Sequence, residues 1–300
     1  MSAVVCRQLS KRFGSTVALD DIDLEIKPGA PVALVGPNGA GKTTLLSALC
    51  GFLRPDSGEV QVLGENPGSA RLSGKLSALP QDAQFDPRFA LGRQMHFYAQ
   101  LQGLSRAQAT MEVSRVLDLV RVPAVAKSNA GELSHGMRKR VAIAQSLMGS
   151  PELVLLDEPT AGLDPENARA IRELIQQGAG KTTFVVSSHN LDELEKLCET
   201  VIHIDRGQLV DHVDVSPTSA SGYLTLGVTQ NWLVDVAEML THLPGVIDHS
   251  TSTQGNIVIR YDEGMHPAMD QHLLRALADA GLSYKHLIRG RTLEDTLYGS

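Results

Sequence analysis

The sequence predicts an α/β fold: a mixed, mainly parallel sheet with a helical insertion, followed by a small α+β unit. Three observations lead there. Pro31–Val35, Leu153–Leu156 and Thr182–Val186 are short, mostly apolar runs that stop abruptly at Gly or polar residues. Runs of that length and character suit strands buried on both faces of a parallel sheet. Between about Asp86 and Asn129 the spacing turns helical, with Met111, Val113, Val116, Leu117 and Val120 arranged for one face. Past Ser216–Ser221 (SPTSAS), a small, polar, Pro-containing stretch of linker character, strand and helix patterns alternate again on a smaller scale.

Size and composition agree with two units. A chain of 300 residues exceeds the usual single domain, and the expected division is 1–215, with the helical insertion at about 86–134, and 222–300. Aromatic residues make up only 4%, so the core must rest on Leu, Val, Ile and Ala. A net charge of −7 argues against nucleic acid as a partner, because neutralising phosphates needs a basic face. Cys6, Cys50 and Cys198 are few, odd in number and far apart, which points to reduced cytosolic thiols. The apolar stretch in MSAVVCRQLSKRF is too short for a signal peptide, and no run reaches the ~18 apolar residues a bilayer span requires. Service to a membrane is therefore expected from the cytoplasmic side, through another chain.

The first strand leads into the most informative segment. After Pro31–Val35 comes Gly36-Pro37-Asn38-Gly39-Ala40-Gly41-Lys42-Thr43, then a helix expected over Lys42–Cys50. This is G-x-x-x-x-G-K-[ST] in its strand–loop–helix context, a phosphate-binding loop (P-loop). Glycines let backbone N–H groups converge on phosphate oxygens, and the helix N-terminus adds its positive dipole end. Lys42 should reach the β- and γ-phosphates, Thr43 should ligate Mg²⁺, and Thr44 can donate a further hydrogen bond. The second strand ends at Asp157 and Glu158. Downstream of a P-loop, such a pair reads as a Mg²⁺-holding Asp157 and a Glu158 placed to polarise the attacking water. The third strand ends in Ser187, Ser188 and His189. All three runs thus place polar groups at strand carboxyl ends, where open α/β sheets bind ligands.

One further segment makes the signal specific. Leu133-Ser134-His135-Gly136-Met137, upstream of Asp157, resembles the LSGGQ signature of ATP-binding cassette (ABC) ATPases. Gln81 in ALPQD resembles that family's Q-loop glutamine, Ala161-Gly162-Leu163-Asp164 its D-loop, and His189 in SSHN its switch histidine. Phe13 sits where the family places an aromatic that stacks on adenine. The match spans about residues 3–212, with six motifs in the right order.

The resemblance implies a mechanism. Two cassettes sandwich two ATP molecules, each gripped by the P-loop of one copy and the signature of the other. Ser134 and the Gly136 N–H would face the γ-phosphate across the interface, Asp164 would border the same nucleotide, and Gln81 and His189 would complete the catalytic set. His135 and Met137 depart from the family pattern, while the second signature glycine is kept. Arg138-Lys139-Arg140 is expected to be a solvated helix face.

In the tail, Tyr223–Val228, Val246–Ser250, Asn256–Tyr261 and Tyr284–Arg289 read as strands, and Trp232–Leu243 and Ala268–Ala280 as helices. That β-α-β-β-α-β order is ferredoxin-like. The close, Arg291-Thr292-Leu293-Glu294-Asp295-Thr296-Leu297-Tyr298, resembles the ending of ABC-2 exporter ATPases. The expected protein is therefore a homodimeric ATPase at the cytoplasmic side of the cell membrane, driving separate transmembrane permease subunits. A soluble cassette switch that moves no solute is the alternative. The tail could dimerise, dock a partner or sense a ligand, and the transported substrate is not written in this chain.

Overall fold

The computed structural model describes residues 2–189, 191, 194, 197–198, 200–214, 222–252 and 255–291. It divides into two compact units, Met1–Val213 and Asp214–Ser300. The linker segment Ser216–Ser221 and the closing segment from Thr292 onward lie outside the described residues.

The first unit holds two sheets. β1 (Val4–Phe13) pairs antiparallel with β2 (Thr16–Ile26) on one side and with β4 (Ser57–Val62) on the other. The second sheet has six strands in the order β5-β6-β7-β3-β8-β9. These are β3 (Val32–Val35), β5 (Leu76–Leu79), β6 (Leu153–Asp157), β7 (Thr183–Ser188), β8 (Thr200–Asp205) and β9 (Gln208–Asp214). The pairs β5/β6, β6/β7, β7/β3 and β3/β8 are all parallel. Every residue of β3, β6 and β7 is buried, which is why these strands read as apolar runs rather than alternating ones.

Helix α1 (Lys42–Leu49) packs between the two sheets. Its Leu45, Leu46 and Leu49 join Leu9, Leu24 and Val60 of the antiparallel sheet and Leu34, Leu155, Val185 and Ile202 of the parallel one in a single core. Each of these leucines contributes roughly 1.5–3 kcal/mol by leaving water. The register lines up strand ends that are far apart in sequence. Val35 of β3 lies beside Ser188 of β7, and Asp157 of β6 beside Ser187.

The insertion consists of α2 (Leu91–Leu101), α3 (Arg106–Leu119) and a 3-10 turn over Pro123–Lys127, leading to α4 (His135–Ser146). A capping box starts α3: Ser105 Oγ accepts from the Gln108 N–H, and Gln108 Oε1 accepts from the Ser105 N–H. Val113, Val116 and Leu117 are buried as expected, but Met111 is 66% exposed. Two residues before Val113 on a helix is about 200° around the axis, so Met111 points away from the packed face. Helix α5 (Pro165–Gly178) follows β6.

The second unit runs β10 (Tyr223–Val228), α6 (Leu233–His242), β11 (Val246–Thr251), β12 (Asn256–Tyr261), α7 (Met269–Asp279) and β13 (Tyr284–Arg289). Its antiparallel sheet has the order β11-β12-β10-β13, which is the split β-α-β arrangement. Leu224, Leu226 and Val228 alternate along β10 and pack with Val236 and Leu240 of α6 and Met269, Leu273 and Leu277 of α7. This core is separate from that of the first unit.

Candidate functional site

β3 runs into the loop Gly36–Gly41, and Gly41 caps α1 with φ +115°. A Cβ at Gly41 would stand 2.5 Å from the Ala18 carbonyl oxygen, so both backbone conformation and space demand glycine here. The loop is braced from behind: the Gly207 N–H donates to Ala40 O (2.8 Å), and the Asp20 N–H donates to Gly207 O (2.8 Å). Pro37, Asn38 and Gly39 form its exposed rim. Lys42 is nearly buried, and its Nζ donates to Gly36 O (2.6 Å) and Pro37 O (3.2 Å). The ammonium therefore stands inside the loop, at the helix N-terminus, where an anion is favoured.

Thr43 Oγ1 donates to Asp157 Oδ2 at 2.8 Å. Neighbouring ligands of an octahedral Mg²⁺, each ~2.0–2.1 Å from the metal, lie ~2.9 Å apart, and this all-oxygen pair fits that spacing. Ser187 Oγ donates to the other Asp157 oxygen (2.5 Å) and accepts from the Glu158 N–H (2.9 Å). One hydroxyl on β7 thus orients the side chain of one carboxylate residue and the backbone of the next.

Glu158 is 6% exposed and has φ +49°, a left-handed conformation rare for a residue with a Cβ. Such a conformation costs roughly 1–3 kcal/mol and clusters at functional sites. Its carboxylate receives the His189 Nδ1–H, 3.0 Å from each oxygen. A nearly buried carboxylate oriented by a histidine is equipped to accept a proton. P-loop, carboxylates and histidine are thus brought together at the carboxyl ends of three neighbouring strands, β6, β7 and β3.

Ser134, Gly136 and Asp164 form a second cluster. Ser134 is the N-cap of α4, its Oγ accepting from the Met137 N–H (3.2 Å) while its O–H can still donate outward. Asp164 caps α5: it accepts from the Asn167 N–H (2.9 Å) and from Asn167 Nδ2 (2.6 Å), and those bonds hold its carboxyl below the usual range. Gly136 is packed against Asn167, where a Cβ would stand 2.8 Å from Nδ2. The His135 ring lies beside Gly162.

Arg138-Lys139-Arg140 is in part the solvated face expected of a charge run: Arg138 is exposed, while Lys139 and Arg140 are half-buried. Arg138 Nη1 donates to Leu133 O (2.9 Å), Arg140 donates to Asn167 Oδ1, and Lys139 Nζ donates to Gln81 O (3.5 Å). Long stems let these heads fold back onto backbone and amide acceptors. Burial lowers the Lys139 pKa, against the opposing pull of Asp157, Glu158 and Asp82.

Gln81 lies exposed just past β5 and borders a groove of about 430 Å³ with Phe85, Pro87, His135, Arg138 and Lys139. Phe13 ends β1 and is 53% exposed. Lys11 Nζ stands 5.6 Å from its ring centroid and is tied to Asp56 Oδ1 (2.8 Å), whose other oxygen takes the Arg12 N–H (2.7 Å). Sequence reasoning gave no role in the site to Ser187, Asn167 or Lys139. Only Ser187 carried a signal, as a polar residue closing an apolar strand.

The chain is similar to known proteins. Residues 19–161 match the ABC transporter family. The chain is 36% identical over 217 residues to the Nod factor export ATP-binding protein I of Cupriavidus metallidurans, covering 70% of this chain and 71% of that protein. It is 30% identical over 296 residues to the protein of the same name from Burkholderia thailandensis, covering 96% and 93%. Among solved structures, cbiO1 from Clostridium perfringens, described as part of an ABC transporter complex, is 25% identical with a TM-score of 0.64, covering 81% of this chain and 96% of cbiO1. An ATP-binding cassette solved as a dimer in a post-hydrolysis state, bound to ADP and Pi, shares the fold at 24% identity and a TM-score of 0.64, covering 71% and 98%. With the P-loop, the strand-end carboxylates and the signature helix all in place, this chain belongs to the ATP-binding ATPase subunits of ABC transporters.

Proposed function

We propose that two copies of this chain close head to tail around two ATP molecules and drive an ABC-2 type exporter through separate membrane-spanning subunits. The observation that carries this is that the phosphate-directed groups fall into two hydrogen-bonded clusters held by different elements. One holds Lys42, Thr43, Asp157, Glu158 and His189; the other presents the Ser134 hydroxyl on the capped N-terminus of α4. Charge on the transferring phosphoryl group needs stabilisation from both sides, so the second cluster completes the site of another copy.

In this scheme the backbone of Gly36–Gly41, with Lys42 and Thr44, grips the phosphates, and adenine stacks on the open face of Phe13. Thr43, Asp157 and Gln81 would hold Mg²⁺, which when bound neutralises charge on the β- and γ-phosphates. Glu158 accepts a proton from water as that water's oxygen bonds to the γ-phosphorus and the bond to the leaving ADP oxygen breaks. His189 orients the Glu158 carboxylate. Ser134 donates to the γ-phosphate of the partner's nucleotide, the Gly136 N–H faces the same group, and Asp164 borders it.

The export assignment follows the curated relatives, which are named as export proteins. Among the described residues no helix is long and apolar enough to cross a membrane; in this proposal the pore belongs to other subunits, and this chain works peripherally on the cytoplasmic face. An affinity-tagged chain, purified from detergent-solubilised membranes of its own cells, is expected to bring down a multi-span protein. Reconstitution with that protein should stimulate ATP hydrolysis. Recovery without any membrane protein would count against the exporter.

We assign the C-terminal unit to pairing. It has its own core and contains none of the nucleotide motifs. A chain ending at Asp214 is expected to bind ATP with unchanged affinity but to lose specific activity on dilution, because closure becomes bimolecular. Superimposable dilution curves for the full-length and shortened chains would exclude that role.

A further inference from the structure

We infer that Asn167 is a positioning residue that locks the signature helix to the D-loop and so governs closure of the dimer rather than loading of nucleotide. The inference rests on the head-to-tail arrangement proposed above. Asn167 is half-buried in the first turn of α5. Its backbone N–H serves the cap, donating to Asp164 Oδ1 (2.9 Å), whereas its side chain does something a cap does not require. Nδ2 donates to Asp164 Oδ2 (2.6 Å), and Oδ1 accepts from the Arg140 guanidinium on α4.

Both side-chain bonds are charge-assisted, one to an anion and one from a cation. Only one orientation of the amide satisfies both, so the group is held without ambiguity between donor and acceptor ends. The same amide forms the wall against Gly136: a Cβ there would stand 2.8 Å from Nδ2 and 2.9 Å from Cγ. One side chain therefore touches the first turn of α4, the following turn through Arg140, and the cap of α5.

The consequence is a rigid unit. Ser134 caps α4 and Asp164 caps α5, and Asn167 fixes those two helix starts side by side. In the proposed sandwich Ser134, Gly136 and Asp164 all face the other copy, so their mutual register decides whether they can engage together. The partners of Asn167 lie on α4 and at the start of α5, while Lys42 and Thr43 are held by Gly36, Pro37 and Asp157. Loading of the P-loop and closure of the face are thus separable. Neither Asp nor Leu can replace Asn here: a carboxylate cannot donate to Asp164, and an alkyl group can neither donate nor accept.

The test uses the full chain. By calorimetry, Asn167→Ala and Asn167→Asp should bind ADP as the parent does. In a Glu158→Gln background with Mg²⁺-ATP, both should weaken the trapped dimer in analytical ultracentrifugation: Asn167→Asp, which loses one hydrogen bond to a charged group, about ten- to hundredfold, and Asn167→Ala, which loses two, at least as much. Arg140→Ala removes the α4 end of the same bridge and leaves Ser134, Asp164 and the P-loop untouched, so alone it should weaken the dimer, and in the Asn167→Ala background it should weaken it no further. Such non-additivity supports positioning over a general loss of stability. Parental dimer affinity in both Asn167 variants, additive losses in the Arg140→Ala, Asn167→Ala pair, or a parallel loss of ADP affinity would each overturn the assignment. Should Glu158→Gln alone give no ATP-dependent dimer, the head-to-tail arrangement falls, and the role of Asn167 falls with it.

Discussion

Glu158→Gln is expected to retain ATP and to lower turnover about 10²–10⁴-fold, the usual contribution of a positioned general base. Gln has the same shape, and its amide oxygen can still accept from the His189 Nδ1–H that now donates to the carboxylate at 3.0 Å. The Glu158 N–H bond to Ser187 is a backbone bond and survives any side-chain change. What disappears is basicity. Nucleotide should therefore bind and the two copies should close, yet water should not be activated. Phosphate release measures the loss, and size-exclusion chromatography with Mg²⁺-ATP should show a dimer. Wild-type turnover in this variant would remove Glu158 from its assigned role.

The second large effect concerns complementation. Lys42→Ala removes the ammonium that stands inside the P-loop. Ser134→Arg removes the N-cap of α4, costs roughly 0.5–2 kcal/mol of helix stability, and puts a bulky cation on the exposed signature. Each homodimer should be nearly inactive. In a heterodimer one site joins the intact P-loop of the Ser134→Arg chain to the intact signature of the Lys42→Ala chain, and the other site is doubly broken. Equal mixing of two copies about a twofold axis makes half the dimers mixed, each with one good site, so about a quarter of parental activity should return. An ATPase assay on the mixture that stays at the homodimer level would contradict composite sites that fire independently.

The parts of the site legible in the sequence are those that chemistry confines to contiguous residues. A phosphate cradle needs glycines, a lysine and a hydroxyl within one strand–loop–helix turn, and Gly36 to Thr43 supply them. Asp157 and Glu158 were legible because a buried parallel strand announces its own end. The antiparallel sheet was not. The burial of β1 alternates irregularly, and Gln8 and Asp21 adopt positive φ, so its strands have neither an apolar run nor a clean period of two. β5, with only Leu76–Leu79, is too short to stand out.

The misreadings share a cause. Lys139 and Arg140 look like surface charge until the Gln81 carbonyl and the Asn167 amide are brought beside them, whereas Arg138 does stay exposed. Nothing in the sequence near Asn167 reveals that it faces Gly136 and Arg140, since α4 and α5 meet only through the fold.

The turn between β8 and β9 has a mechanical consequence. Gly207 donates its N–H to Ala40 of the P-loop, and its carbonyl takes the Asp20 N–H. From the next residue, β9 runs seven residues to Asp214, the first residue of the C-terminal unit. At ~3.3 Å per residue that is an extended strand of ~23 Å. A pull along it reaches the phosphate cradle through the Gly207–Ala40 bond and through the ladder between β8 and β3. The phosphate loop and the strand that closes the first unit therefore meet at one turn, although Ala40 and Gly207 are 167 residues apart in sequence.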